Sequence, residues 1–262
     1  MKKNLTNKQR RHFAENYIIN PTHQVTVAVV GCGGTGSQVL SCLARMNQGL
    51  MSLGHPGLHV IAYDDDIVTH ANIGRQLFSE TEIGLNKAIA LVTRINRFYG
   101  TAWKAIDKKY DSKNHSNIII TCVDNVKSRL EISKYLTTLR SHFYPPFIQP
   151  YYWLDFGNTV NSGQVILGTV TDIKQPTSEQ TETVASLPPL VTKRFSLQKV
   201  KEEDSGPSCS LAEAISKQDM FINSTLAQLG CNLLWKLFRE GMVDYSGLYL
   251  NLQTMNVNPI PV

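Results

Sequence analysis

The chain has 262 residues, 42% of them hydrophobic and 18% charged, with a net charge of +5, which suits a soluble protein built as one large α/β domain or a domain with an appendage. No apolar run approaches the ~20 residues of a membrane helix, and no apolar core follows the initial lysines as a signal peptide would require. The five cysteines (Cys32, Cys42, Cys122, Cys209 and Cys231) form no CxxC pair, which excludes a zinc knuckle or a thioredoxin-like motif and points to a reducing, cytoplasmic compartment.

In chain order, the basic stretch MKKNLTNKQRRHF opens an arm spanning 1–23 and reads as a solvated or dimer-contact segment. A short basic run is a weak signal for nucleic acid, so none is expected as a partner. QVTVAVVG (24–31) is a β-branched run ending in glycine, the pattern of a buried parallel strand. SQVLSCLARM (37–46) continues as a helix, and NQGLMSLGHPGL (47–58) reads as a glycine-bearing connection longer than such units need. A second strand is expected at 59–63, then a helix over 82–98 with apolar spacing at Ile83, Ala88, Ile89, Val92 and Ile95. NIIITCV (117–123) is another buried strand, followed by a polar turn and a helix at 127–139.

Alternation of strand and helix this far predicts a Rossmann-like, mostly parallel sheet with helices on both faces. From 147 to 170 the pattern changes to two or three strands, partly antiparallel, around Gly157 and Gly163. Residues 171–207 form a polar crossover excursion, and a helix from about 211 to 239 precedes a final strand at 247–254. The expectation is a single domain with its nucleotide-binding core at 24–156 and an antiparallel C-terminal extension that includes the helix and strand of 208–262.

GCGGTGS (31–37) joins the first strand to the first helix, and Gly31, Gly33 and Gly36 fit G-x-G-x-x-G. Missing Cβ atoms permit the tight turn and let backbone N–H groups reach a phosphate at a helix N-terminus. The loop alone does not choose between NAD, FAD and ATP. YDDDIVTHANIGRQLF (63–78) narrows the choice. Asp64 lies where a strand-end acid hydrogen-bonds ribose hydroxyls. A nicotinamide enzyme has no need of Asn72, Arg75 and Gln76 so soon after it, whereas a triphosphate carries charge to be neutralised during transfer. Arg75 offers a forked, permanently charged donor, Asn72 and Gln76 neutral ones, and Lys87 a point charge. Asp124, at the carboxyl end of the next strand, suits Mg2+ shared with substrate phosphates.

These motifs in this order (GCGGTGS, DxD–x5–NxxRQ at 64–76, IG–x2–K at 83–87 and the pair Asp124–Asn125) resemble the ThiF/MoeB/HesA family, prokaryotic relatives of the ubiquitin-activating enzymes. The resemblance covers about 25–156. It implies a Rossmann-like adenylation fold, usually homodimeric, that uses ATP and Mg2+ to adenylate the C-terminal glycine carboxylate of a small β-grasp, ubiquitin-like protein. Residue by residue, it assigns Gly31, Gly33, Gly34 and Gly36 to the nucleotide loop and Asp64 to ribose. It assigns Asn72, Arg75, Gln76 and Lys87 to the phosphates, with Arg75 and Lys87 stabilising the transferring charge, and Asp124 to the metal. The sequence departs from the family in lacking the N-terminal R-Y-x-R-Q motif, for which Arg10 or Arg11 are the candidate substitutes, in lacking the zinc CxxC pairs, and in its long connection at 47–58. A narrower resemblance, to the ThiF-type member of the ParB-related, ThiF-related (PRTRC) plasmid cassette, rests on that connection and on SLAEAISKQDMFINSTLAQLG.

PSCSLAE (207–213) raises the question of a second step. Ser210 and Glu213 form an S-x-x-E capping box, so Cys209 sits just outside a helix N-terminus, where partial positive charge favours thiolate. Many family members carry a cysteine there that takes the activated acyl group. Two rival functions remain at this stage: an NAD-dependent oxidoreductase, supported only by the glycine loop and Asp64, and a non-catalytic ATP-binding scaffold of a plasmid-maintenance complex.

Overall fold

The computed structural model describes residues 8–111, 115–139, 144–188 and 218–262. Eight strands form the main sheet: β2 (Val25–Val30), β3 (Leu58–Tyr63), β4 (Lys104–Ile106), β5 (Ile118–Thr121), β6 (Tyr152–Asn158), β7 (Ser162–Thr169), β10 (Tyr245–Asn251) and β11 (Asn256–Pro261). Their spatial order is β11-β10-β7-β6-β5-β2-β3-β4. The five from β6 to β4 run parallel. β7, β10 and β11 extend the sheet antiparallel. A Rossmann-like sheet with an antiparallel C-terminal extension is therefore what the chain forms.

Val25, Val27, Val29, Ile118, Ile120 and Leu154 face one layer, made by α2 (Gly34–Ser52), α3 (Lys87–Tyr99) and α5 (Ile222–Glu240). Val30, Ile119 and Trp153 face the other, where α4 (Val126–Leu139) contributes Ile132, Leu136 and Leu139. Burial on both faces explains why β2 and β5 read as unbroken apolar runs. The chain crosses from β4 to β5 over β3 and β2, so the direction of winding reverses between β2 and β5. That reversal opens the crevice where ligands collect in such sheets.

Four expectations need correction. The expected connection at 47–58 is mostly helix: α2 runs to Ser52, which leaves a turn of 53–57. Gly49 lies inside α2 where a Cβ would come within 3.1 Å of the Trp235 ring, so it serves close packing against α5. The basic arm is also not wholly solvated. Its residues Gln9–Phe13 form β1, paired parallel with β8 (Thr181–Thr183) and antiparallel with β9 (Met242–Val243). His12 is fully buried there, with Nδ1 2.7 Å from Val184 O and Nε2 3.0 Å from the Tyr152 hydroxyl. α3 starts at Lys87 rather than 82, because Glu80–Glu82 is a separate 3-10 turn and the Asn86 side chain caps α3 by accepting from Ile89 N–H. The helix expected from about 211 to 239 is not continuous: 211–217 lie outside the described residues, 218–221 are not helical, and α5 starts at Ile222, while β11 is a strand that the sequence did not suggest. No helix among the described residues is long and apolar enough to cross a membrane.

Candidate functional site

The carboxyl ends of β2, β3 and β5 meet at the crevice, and hydrogen bonds tie their loops together. Gly31 N–H donates to Tyr63 O at 2.9 Å and Cys122 N–H to Val30 O at 2.8 Å. Gly31 has φ +90°, and a Cβ on it would sit 2.9 Å from Cys122 O. A Cβ on Gly36 would lie 1.8 Å from Gly31 O, so only glycine closes this turn. Gly33 precedes α2 without any side-chain cap, and the first helical bond is Ser37 N–H to Gly33 O at 3.0 Å. The amides of Gly34, Thr35 and Gly36 therefore enter no helical ladder, as at any uncapped N-terminus. Such a terminus carries partial positive charge and suits an anion. Gly34 has a different constraint: a Cβ there would meet the Asn223 side chain at 2.8 Å.

Asp64 reaches back to this loop. Its Oδ2 accepts Cys32 N–H at 2.5 Å and its Oδ1 accepts Asp66 N–H at 2.9 Å. Burial raises the Asp64 carboxyl above its ordinary pKa, while those two N–H groups pull it down. Asp64, Asp65 and Asp66 are the one group of three metal-capable side chains found together among the described residues. Lys87 Nζ lies 2.8 Å from Asp66 Oδ2 with its own side chain nearly buried, so the lysine is held at the edge of the loop by that carboxylate.

Arg75 and Gln76 are half-buried and buried beside this loop. Arg75 Nη1 donates to Gln218 Oε1 at 2.5 Å, while its buried Nε has no partner among the described residues. Burial lowers the Arg75 pKa. Gln76 Oε1 is likewise buried without a donor, and this side chain is what a Cβ on Gly33 would approach, at 4.0 Å. A guanidinium donor left unpaired beside an uncapped helix N-terminus suits an anion, whereas the Gln76 carbonyl can only accept, from a hydroxyl or an N–H group. Asn72 is placed differently. Its Oδ1 accepts Thr69 N–H at 2.8 Å and so closes a 3-10 turn, leaving only its amide nitrogen for other use.

Asp124 is exposed at the mouth of the crevice. Asn125 Nδ2 donates to its Oδ1 at 3.1 Å, and Asn125 Oδ1 accepts Ser128 N–H at 2.8 Å in the first turn of α4. An exposed carboxylate with one oxygen unengaged fits the hard, partly hydrated Mg2+ ion, which takes one or two protein carboxylates and keeps phosphate and water for the rest. Cys209, Ser210 and Glu213 lie outside the described residues. Arg10 and Arg11 pair within their own chain, with Glu182 and Asp244.

Sequence reasoning missed four residues around the site. Gln218 and Asn223 lie before and at the start of α5. Asn223 Nδ2 donates to Gln218 Oε1 at 3.0 Å, and Asn223 Oδ1 accepts from Thr35 Oγ1 at 2.8 Å and Asn158 Nδ2 at 3.1 Å. No local pattern marks these amides, because the tertiary fold alone brings them to the glycine loop. Arg129 and Asp155 form a buried ion pair at 3.2 Å under the β5–α4 turn. Here a signal existed: an acid inside the apolar run YYWLDFG, and an arginine one helical turn beyond Asn125.

Fold and crevice together define a Rossmann-like α/β protein whose candidate ligand site lies at the winding reversal. The ThiF family profile matches residues 16–260, and the chain belongs to the ThiF family. It is 24% identical over 155 residues to ubiquitin-like modifier-activating enzyme 5 of Arabidopsis thaliana, covering 50% of this chain and 33% of that protein. It is 25% identical over 146 residues to the enzyme of that name from Oryza sativa subsp. japonica, covering 48% and 32%. The chain thus spans about a third of the length of these curated relatives. Among solved structures it is similar to E. coli MccB determined with ATP, with a TM-score of 0.58, 15% identity and coverage of 90% of this chain and 63% of that one. PaaA is similar at a TM-score of 0.57 and 15% identity, over 91% and 64%. At such identities these two establish the fold.

Proposed function

We propose that this protein adenylates the C-terminal carboxylate of a small protein with ATP. The observation that carries the reading is the Arg75 guanidinium, with a buried unpaired Nε–H, beside the uncapped start of α2. ATP use is supported by the fold shared with MccB, solved with ATP, and the protein-substrate class by the ubiquitin-like modifier-activating relatives. We take the substrate to be a β-grasp protein ending in glycine, and the enzyme to work as a homodimer.

The attacking group is a carboxylate, already ionised, so no general base is required. Its oxygen forms a bond to the α-phosphorus, the bond from that phosphorus to the bridging oxygen breaks, and pyrophosphate leaves with the electron pair. Catalysis then rests on position and charge. The α2 amides cradle phosphate, Asp64 accepts from the ribose, Arg75 meets charge that grows on the departing group, and Lys87 adds a second positive centre. Mg2+ held through Asp124 would supply charge neutralisation at the phosphates.

In the second step the Cys209 thiolate displaces AMP from the acyl adenylate, giving a thioester. The other thiols are poor competitors. Burial pushes Cys32 and Cys122 up, and the hydrogen bond that Cys231 donates to Cys42, together with burial, raises Cys231. Cys42, lowered by its bond to Cys231, is itself buried.

ATP–pyrophosphate exchange tests the reading. It is expected with a ubiquitin-like protein ending in a free glycine carboxylate and not with the same protein as its C-terminal amide. NADH binding without ATP binding, or exchange indifferent to the amide, would overturn it.

A further inference from the structure

The buried ion pair beneath the β5–α4 turn has no part in the steps above, yet it is built around the one stretch that carries Asp124. Arg129 extends from the first turns of α4 with its side chain nearly buried. Its Nη2 donates to Val123 O at 2.5 Å and to Phe156 O at 2.8 Å, and its Nε donates to Asp155 Oδ1 at 3.2 Å. Asp155 is fully buried, and its Oδ1 also accepts the Thr121 hydroxyl, which in turn accepts Trp153 Nε1–H at 2.8 Å. One guanidinium thus joins the carbonyl immediately before Asp124 to the end of β6. From the other side, Asn125 fixes Asp124 Oδ1 and caps α4.

We propose that Arg129, anchored by Asp155, is a positioning residue for Asp124: it holds the turn so that this carboxylate faces the nucleotide crevice. The proposal rests on the adenylation reading for its consequence, but its geometry does not. Charge-assisted bonds to two backbone carbonyls fix orientation better than a single neutral bond, because a planar fork meets both acceptors at set angles. Lysine would keep the charge and lose the fork. Replacing a supporting residue behind a metal-binding group typically costs roughly 10–100-fold in metal affinity.

Two measurements on the full chain decide it. The first needs no ligand: hydrogen exchange of the amides at 124–128. In Arg129→Gln these are expected to exchange about tenfold faster, while the amides of β2, β3 and α2 stay at wild-type rates. The second compares ATP affinity with and without Mg2+. Arg129→Gln and Arg129→Lys are expected to lose roughly 10–100-fold of the gain that Mg2+ brings, with Mg2+-free affinity unchanged. A merely structural arginine would lower both affinities together or neither. Asp155→Asn, which keeps an acceptor for Arg129, is the milder variant should Arg129→Gln not fold, and it should move both readouts in the same direction. Wild-type turn exchange and a full Mg2+ gain in the folded variants would overturn the proposal. If wild type binds no ATP, the adenylation reading fails, and turn exchange alone then decides whether Arg129 positions Asp124.

Discussion

The parallel and antiparallel halves of the main sheet contribute to the crevice in different ways. From β2 to α4 the site is made of loops whose residues are chosen locally: glycines at a turn, an acid at a strand end, an arginine and a glutamine before the next helix. From β6 to β11 the described residues play a different part. Their contribution is Asp155 beneath the Asp124 turn and Gln218 and Asn223 against Arg75 and the glycine loop. Among the described residues, the first half holds the groups that would touch the nucleotide, and the second holds those groups in place; the acyl acceptor proposed at Cys209 lies outside them. Losses in the first half should therefore fall on turnover, and losses in the second on stability and order.

The largest effect is expected at Asp124. Asp124→Ala should abolish pyrophosphate exchange without loss of fold, since the residue is exposed and, among the described residues, its side chain bonds only its neighbour Asn125. Wild-type exchange in that variant would remove Asp124 from the mechanism. Next comes Arg75→Ala, expected to slow adenylation on the order of 100-fold, the scale of one preorganised donor, while ATP affinity falls less. Lys87→Ala should cost less than Arg75→Ala, because Asp66 already engages the lysine. An equal or greater loss would mean that Lys87 leaves Asp66 when nucleotide binds.

On the supporting side, Asn223→Ala should lower stability by roughly 1–3 kcal/mol, since Thr35, Asn158 and Gln218 each lose a partner in a buried setting. Thermal melts and exchange rates on one preparation would separate this from a catalytic defect. A loss of turnover at unchanged stability would break the comparison between the halves.

A smaller effect tests Asp155. Burial pushes its carboxyl up to about 6, with Arg129 and Thr121 pulling it back. The fold therefore prefers the neutral acid more than the unfolded chain does. The stability this contributes is full below about pH 4, the ordinary range for aspartate, and is lost as pH rises through about 6. Asparagine does not titrate, so Asp155→Asn should gain on wild type in melting temperature between those limits. Parallel curves would contradict the assignment. The smallest expected effect on adenylation is that of Cys209→Ala, which should leave exchange intact and remove any thiol-labile adduct. An adduct that persists would direct the second step to another thiol or to an outside acceptor.

The legible half of the molecule is the one whose chemistry is local. β2, β5 and the glycine loop followed from apolar runs and turn glycines, and β6 and β7 from the change of pattern around Gly157 and Gly163, which lie near the facing ends of the two strands. The misread elements owe their state to distant partners. Gln9–Phe13 has the composition of a tail and becomes a strand because β8 and β9 flank it and Tyr152 engages His12. The end of α2 looked like a connection because 47–58 carries several glycines, yet one of them, Gly49, packs inside the helix against Trp235. At the site, residue types that suit phosphate were readable, but not how they are held: the engagement of Lys87 by Asp66 and the use of Asn72 as a turn cap arise only in the folded chain.

The most direct test of the central claim follows an oxygen atom. A ubiquitin-like protein that supports exchange would be labelled with 18O in its terminal carboxylate, and the nucleotide recovered after the acyl group is transferred to a thiol. Attack by that carboxylate on the α-phosphorus leaves one labelled oxygen in AMP, and the account expects it there. Label in inorganic phosphate or pyrophosphate, or AMP without label, would contradict it.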